Sequence, residues 1–285
     1  MTDQEKNAQP DQYVVVGNPV AHSRSPEIHQ AFAAQFSARI EYRKVQVEPA
    51  GFAAFADSFK AAGGCGMNIT VPFKADAFAY AEQADSLASA AGAVNTLVFR
   101  AGEPVQGFNT DGLGLIADLT QRHGLQLRGS RILLLGAGGA ASGVVQPLLA
   151  AEPNELVVAN RTLAKAVDLV AHHRTFCAAG AVLQACDFAE LKSDFDLVIN
   201  ATSSGLSGAT APVDAGIVRD TCCYDMSYGA AAVFARWATT QGASKSIDGL
   251  GMLVEQAAES FYLWRGVRPA TDPVMSLLRD QLQAQ

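Results

Sequence analysis

No uninterrupted apolar run approaches the ~18 residues that a membrane-spanning helix needs, so no membrane span is expected. Charge is sparse: 17% of the 285 residues are Asp, Glu, Lys or Arg, and acids exceed bases to leave a net charge of −7. With a pI near 5.2, the chain has no general basic face for neutralising phosphates, and no nucleic-acid partner is expected. Cysteine is scarce too. Cys65, Cys177, Cys186, Cys222 and Cys223 are odd in number and lack zinc-ligand spacing. Adjacent Cys222 and Cys223 would point to opposite sides of a strand, so the expectation is reduced thiols in a cytoplasmic protein, with no metal. An apolar leader is also missing: Met1 to Asp11 is polar and reads as a frayed, disordered tail rather than a signal peptide.

What is present is a globular composition, 49% hydrophobic, in a chain long enough for two domains. Its organising stretch runs from Arg131 to Thr162. Ile132 to Leu135 is a short apolar run suited to a strand buried on both faces of a parallel sheet. Gly136, Gly138 and Ala141 then fit G-x-G-x-x-A, with Ala137, Gly139 and Ala140 between them. Such a loop permits a tight turn, a close approach to a pyrophosphate and a helix whose N-terminus faces the phosphates. A second strand, Leu156 to Ala159, follows, which is the context the loop requires.

The residues after that second strand bear on which dinucleotide fits. An NAD site has Asp or Glu about 20 residues beyond the loop, on the ribose hydroxyl. Here the strand ends in Asn160, Arg161 and Thr162, with Lys165 a turn later, and no carboxylate is available. Arg161 can fork onto a 2′-phosphate and Lys165 can add a point charge, so NADP is expected over NAD. The alternative is a helix cap at Thr162 beside a solvated Arg161.

Other polar residues sit where local structure does not obviously explain them. Ser23 and Ser25 flank Pro26 at the start of a helix expected to run to Ser37. Ser25 could be a plain cap, whereas Ser23 has no such role, and two hydroxyls there make a carboxylate cradle. Met67 to Val71 reads as a strand that sends Asn68 and Thr70 to one side. Lys74 follows Pro72 and, taken alone, is a surface charge. Asn95 opens an apolar strand and needs partners. Asp111 is either a cap for a helix over 113–122 or a site residue. Strand–helix alternation continues through 181–185, 195–199 and 222–226, which implies a parallel doubly wound sheet. Thr202 lies in the polar turn closing the 195–199 strand, where a cofactor crevice would be.

Together these stretches resemble the shikimate dehydrogenase family, NADP-dependent enzymes of the shikimate pathway in aromatic amino-acid biosynthesis. The likeness runs from Val14 to about Val274. It rests on Asn18 to Pro26, Asn68 to Lys74, Gly92 to Thr96, Asn109 to Gly112, Gly136 to Ala140, Asn160 to Thr162, Asn200 to Gly205 and Gly249 to Ala257. The resemblance implies an α/β protein: an N-terminal α/β substrate-binding domain plus a Rossmann-type domain with a doubly wound parallel sheet. The first would cover 1–111 and 249–285, the second 112–248, with a small ring acid in the cleft between. Residue by residue, it implies that Ser23, Ser25, Thr70 and Tyr228 hold the ring carboxylate. Lys74, Asn95, Asp111 and Gln256 would meet the ring oxygens, with Asn68 in the same cluster. Gly136, Ala137, Gly138, Gly139 and Ala140 would take the pyrophosphate. Asn160, Arg161, Thr162 and Lys165 would face the 2′-phosphate, and Thr202, Met226 and Gly249 the nicotinamide. Lys74 and Asp111 would carry the acid–base chemistry, with Lys165 standing where many relatives have arginine.

Three other readings are compatible with parts of the pattern. A quinate-accepting sister enzyme would be expected to favour an acidic residue after Ala159. A glutamyl-tRNA reductase would need a nucleophilic cysteine near its N-terminus, and Cys65 lies outside such a motif. A metabolite sensor of the same fold would have no need of both Lys74 and Asp111. Whether the chain is a monomer or a homodimer is left open.

Overall fold

The structure, a computed structural model, describes residues 9–176, 182–192, 194–210 and 212–283. Cys177 and Ala181 lie outside the described residues, as does most of the expected tail. The chain divides into two compact units, Met1–Thr110 with Ala257–Gln285, and Asp111–Gln256. Among the described residues no helix is long and apolar enough to cross a membrane.

The first unit is a mixed six-stranded sheet. Its strands are β1 (Asp11–Gly17), β2 (Ile40–Gln46), β3 (Gly64–Ile69), β4 (Gln83–Ala84), β5 (Thr96–Val98) and β6 (Gln106–Phe108), in the order β2-β1-β3-β5-β6-β4. β1 pairs in parallel with β2 and β3, while β5 runs antiparallel to β3 and β6. Helices α1 (Ser25–Gln35), α2 (Phe52–Ala61), α3 (Lys74–Tyr80) and α4 (Ser86–Ala91) belong to this unit. Side-chain alternation along β1 feeds two cores. Val14 and Val16 pack with Phe52 and Phe59 of α2, whereas Tyr13 and Val15 pack with Tyr42 and Trp264.

The second unit is a parallel six-stranded sheet: β7 (Arg131–Leu135), β8 (Glu155–Ala159), β9 (Val182–Cys186), β10 (Leu197–Asn200), β11 (Cys222–Asp225) and β12 (Lys245–Asp248). The order β12-β11-β10-β7-β8-β9 is that of a doubly wound dinucleotide fold, with its switch point between β7 and β10. The helices here are α5 (Asp111–Ala117), α6 (Gly139–Ala150), α7 (Leu163–His173), α8 (Val233–Thr240) and the start of α9 (Leu250–Arg265). The rest of α9 and α10 (Asp272–Gln283) belong to the first unit. Ile132, Leu133, Leu134 and Leu135 are all fully buried, the two pairs in separate cores on opposite faces. Cys222 and Cys223 likewise pack on opposite faces of β11, and Cys65, Cys186, Cys222 and Cys223 are free thiols.

Several local expectations are corrected. Asp11 is not tail: it pairs with Ile40 in the sheet and its carboxylate meets the guanidinium of Arg265. Ser25 is not the cap of α1. Arg24 holds that position, and Ser25 is the first helical residue, because Pro26 fits the second position equally well. Ser23 does have a local role after all, since its Oγ accepts from the Ser25 amide at 3.3 Å. β3 begins at Gly64 and ends at Ile69, one residue short of Thr70, although the Thr70 amide still donates to Val16 O. α5 starts at Asp111 itself and passes into a π turn over Asp118–Arg122. That turn surrounds a buried carboxylate: Asp118 accepts from Tyr224 Oη at 2.7 Å, with Arg122 Nε at 3.4 Å. Burial pushes the Asp118 carboxyl up, against the pull of Tyr224 and Arg122.

Candidate active site

In the first unit the predicted polar residues form one connected network. Ser23 Oγ donates to Ser25 Oγ at 3.1 Å. The Asn68 amide, nearly buried on β3, accepts from Tyr42 Oη at 2.7 Å through Oδ1. Its Nδ2 donates to Asn95 O at 3.3 Å, Thr96 Oγ1 at 3.2 Å and Ser260 Oγ at 3.1 Å. Asn95 finds the partners its position demands: Nδ2 donates to Thr110 Oγ1 at 2.9 Å, and Oδ1 accepts from the Thr110 amide at 2.9 Å. Thr70 lies beside Gly17, at the end of the strand next to β3. Lys74 is the first residue of α3, half-buried, and its carbonyl accepts from the Val94 amide, next to Asn95.

Sequence reasoning missed four members of this network: Tyr42, Thr96, Thr110 and Ser260. Thr96 and Thr110 sit inside stretches already singled out, and a hydroxyl beside a buried asparagine is a usable signal. Tyr42 and Ser260 carry none, because each reads as part of an ordinary strand or helix face. His29 was also missed. It is fully buried and its ring stacks on Tyr42, with centroids 4.7 Å apart. Burial drives its imidazole down to about 3, so it is neutral.

In the second unit the loop from Gly136 to Ala140 joins β7 to α6. Gly136 takes φ of 109°, a conformation that favours glycine, and a side chain there would crowd Ala201 and Thr202. At Gly138 and Gly139 the space a Cβ would occupy is open to 4 Å. The first turn of α6 is therefore bare and exposed, and its amides can meet an anion. At the end of β8, Asn160 Nδ2 donates to Thr162 O at 2.9 Å. Thr162 occupies the cap position of α7 but makes no side-chain cap bond. Arg161 and Lys165 are both exposed beyond β8.

The strand ends near this loop are braced from below. Thr202 Oγ1 donates to Asn200 Oδ1 at 2.7 Å, and Asn200 Nδ2 donates to Asp225 Oδ1 at 3.1 Å. Asp225, fully buried, also accepts from the amides of Ser227, Phe234 and Ala235. Burial raises its carboxyl despite those four donors. Asn200 and Asp225 were absent from the expected site, and only the polar end of each apolar strand marks them. Met226 and Gly249 adjoin: the Gly249 amide donates to Ser227 O at 2.9 Å, and a Cβ on Gly249 would strike Met226 O. Tyr228 stands just before a 3₁₀ turn at Gly229–Ala231. Asp111 begins α5, which crosses α9 where Gly114 lies against Gln256. Gln256 Nε2 donates to Leu253 O at 2.8 Å.

Among the described residues no group of His, Cys, Asp and Glu is placed to hold a metal. What the second unit offers is a bare helix start, a tight glycine turn and two exposed cations past the next strand. Those features fit a phosphorylated dinucleotide.

Family models match three stretches of the chain. They describe a shikimate dehydrogenase substrate binding domain over residues 15–97, shikimate / quinate 5-dehydrogenase over 118–209, and a shikimate 5'-dehydrogenase C-terminal domain over 249–279. The shikimate dehydrogenase (NADP(+)) of Alkalilimnicola ehrlichii is 50% identical over 273 residues, 95% of this chain and 99% of that protein. Its counterpart in Nitrosococcus oceani is 45% identical over 275 residues, 96% of each. Among solved structures, an Ael1 enzyme from Pseudomonas putida superposes with a TM-score of 0.87 at 40% identity, covering 94% of this chain and 98% of that one. A shikimate dehydrogenase in complex with NADP+ gives 0.85 at 30% identity, covering 99% and 98%. With half of all positions identical over nearly the full length of both proteins, the chain belongs to the shikimate dehydrogenase family.

Proposed function

We propose that this chain catalyses the reversible, NADP-linked interconversion of shikimate and 3-dehydroshikimate. The observation that carries the proposal is end-to-end identity of 45–50% with curated relatives named shikimate dehydrogenase (NADP(+)). Fold alone would not suffice, because a 5-ketofructose reductase of Gluconobacter superposes with a TM-score of 0.84 at 28% identity.

Residues 1–111 with 249–285 are assigned to substrate binding, and 112–248 to NADP. For the cofactor, the proposal assigns Gly136 to Ala140 to the pyrophosphate, and Asn160, Arg161, Thr162 and Lys165 to the 2′-phosphate side. Thr202, Met226 and Gly249 are assigned to the nicotinamide side. NADP, when bound, supplies the two-electron chemistry at the ring carbon. Ser23, Ser25, Thr70 and Tyr228 are assigned to the substrate carboxylate, and Asn68, Asn95 and Gln256 to its oxygens. Lys74 gives a proton to the nascent alkoxide in reduction and takes it back in oxidation, while Asp111 hydrogen-bonds the same hydroxyl. We place the enzyme in the cytoplasm, as a monomer or homodimer acting without nucleic acid. Free thiols at Cys65, Cys186, Cys222 and Cys223 and a net charge of −7 support that placement.

A second substrate deserves a measurement because one matching family model is described as shikimate / quinate. Initial rates with shikimate and quinate, each with NADP and NAD, decide the matter. Shikimate with NADP is expected to have the highest kcat/KM. Faster turnover of quinate, or of NAD, would overturn the substrate or cofactor choice respectively, and no turnover of either acid would remove the enzymatic reading.

A further inference from the structure

Tyr42 is the single fully buried residue of β2, an edge strand whose other positions are exposed or half-buried. A phenylalanine would fill the same space without a hydroxyl to satisfy. Burying that hydroxyl costs free energy unless it is used. The hydrogen-bond directions around it are fixed. Asn95 O is a backbone carbonyl and can only accept, so the Asn68 Nδ2 must face it, and Oδ1 must face Tyr42. Tyr42 therefore gives its one proton to Asn68. Its oxygen remains able to accept, and the Ser25 hydroxyl is the side chain that bonds it. Ser25 in turn receives the hydroxyl of Ser23. The neutral His29 ring, stacked on the phenol at 6° between planes, holds the ring itself in place.

We propose that Tyr42 is a positioning residue for substrate: its hydroxyl sets the spacing between Ser25 on α1 and Asn68 on β3 and locks the Asn68 amide in one orientation. The inference rests on the functional reading above, in which Ser25 and Asn68 meet the substrate. With the phenol proton in place, Asn68 has both N–H groups committed to Asn95, Thr96 and Ser260. It then offers substrate only the remaining lone pair of Oδ1, as an acceptor for a ring hydroxyl. Without that proton Oδ1 loses its protein donor, and the amide and the serine are no longer held at a common distance.

The test is Tyr42→Phe, which keeps the ring stack and removes one oxygen. Losing one hydrogen bond to each of two substrate-binding side chains is expected to raise the KM for shikimate about tenfold, with kcat and the KM for NADP within about twofold of wild type. In an Asn68→Ala background the same change is expected to add less than it does alone, because it acts through Asn68. A shikimate KM within about twofold of wild type overturns the assignment, as does full additivity with Asn68→Ala. Unfolding of the variant, or loss of NADP affinity in step with shikimate, makes the phenol a stability element and overturns it equally. Wild-type turnover is measured first. If shikimate is not turned over, the functional reading falls, whereas an active wild type with an unaffected Tyr42→Phe sinks this inference alone.

Discussion

A lysine at the first turn of a helix is ordinarily a solvated charge, and Lys74 differs from that pattern only through its neighbours. Its carbonyl is tied to Val94, next to a buried asparagine whose every polar atom is occupied. If Lys74 moves the proton, Lys74→Ala should lower kcat by roughly 10²–10⁴ while shifting KM much less. Steady-state kinetics checks this, and a near-normal kcat removes Lys74 from the chemistry. Arg161→Ala should cut the NADP over NAD preference by roughly tenfold or more, read as the ratio of kcat/KM values, because a forked charge pair to phosphate is lost. Two buried histidines make a separate prediction about acid. His29 is held down to about 3 and His173 to about 4, each mainly by burial. The unfolded chain takes up these protons near pH 6.5, while the folded chain does not until much lower pH. Stability is therefore full above about pH 6.5 and falls with acidification by about 1.4 kcal/mol per pH unit per histidine. Urea unfolding between pH 7 and 4.5 should show that slope, and His29→Phe should make it shallower. At this scale the sequence revealed residues whose type was odd for their place, such as Asn95. It concealed residues whose type was ordinary, such as Tyr42, because a buried hydroxyl and a surface one look alike in a string of letters.

Elements were legible in proportion to how much of their burial is local. β7 is apolar along its length and reads as a buried strand without any knowledge of its partners. β12 was not expected, since Lys-Ser-Ile-Asp has only Ile247 to bury, and its strand character comes from parallel pairing with β11. β4 has two residues, held by pairing with β6. The helix containing Asp111 was placed two residues late, because Gly112 and Gly114 look like turn residues. They are small for another reason: Gly112 lies against Pro147 and Gly143, and Gly114 against Gln256. Close approach also governs the start of α9. A methyl group on Gly251 would fall inside the carboxylate of Asp118, which is buried and bonded to Tyr224. Gly251→Ala should therefore destabilise by roughly 1–3 kcal/mol. The Tm should fall accordingly, whereas Gly139→Ala, with open space around it, should leave stability nearly unchanged. Equal Tm values for the two variants would contradict the packing described for the π turn.

At the scale of the whole molecule, the parallel order of the second sheet followed from strand–helix alternation and from the glycine loop. The mixed order of the first sheet did not, because β3, β5 and β6 are joined by antiparallel pairings that depend on non-local contacts. The two units differ in how they are drawn from the chain. The second is one continuous stretch, Asp111–Gln256, with its own sheet and cores. The first requires Ala257–Gln285, which supply Ser260 to the Asn68 network and Trp264 to the core beside Tyr13. Residues 111–256 expressed alone should unfold cooperatively and be stabilised by NADP. At 100 times its Kd the cofactor adds about 2.7 kcal/mol. Residues 1–110 alone should not fold, which circular dichroism with added urea would reveal; cooperative unfolding of that fragment would show the C-terminal helices to be dispensable.

That unequal division has a consequence during synthesis. A ribosome releases the polypeptide in order, so the nucleotide-binding half can finish folding while the earlier-made half still waits for the C-terminal helices. Until they emerge, the apolar face around Tyr13 and the unpaired amide of Asn68 are left for a chaperone or for water to cover.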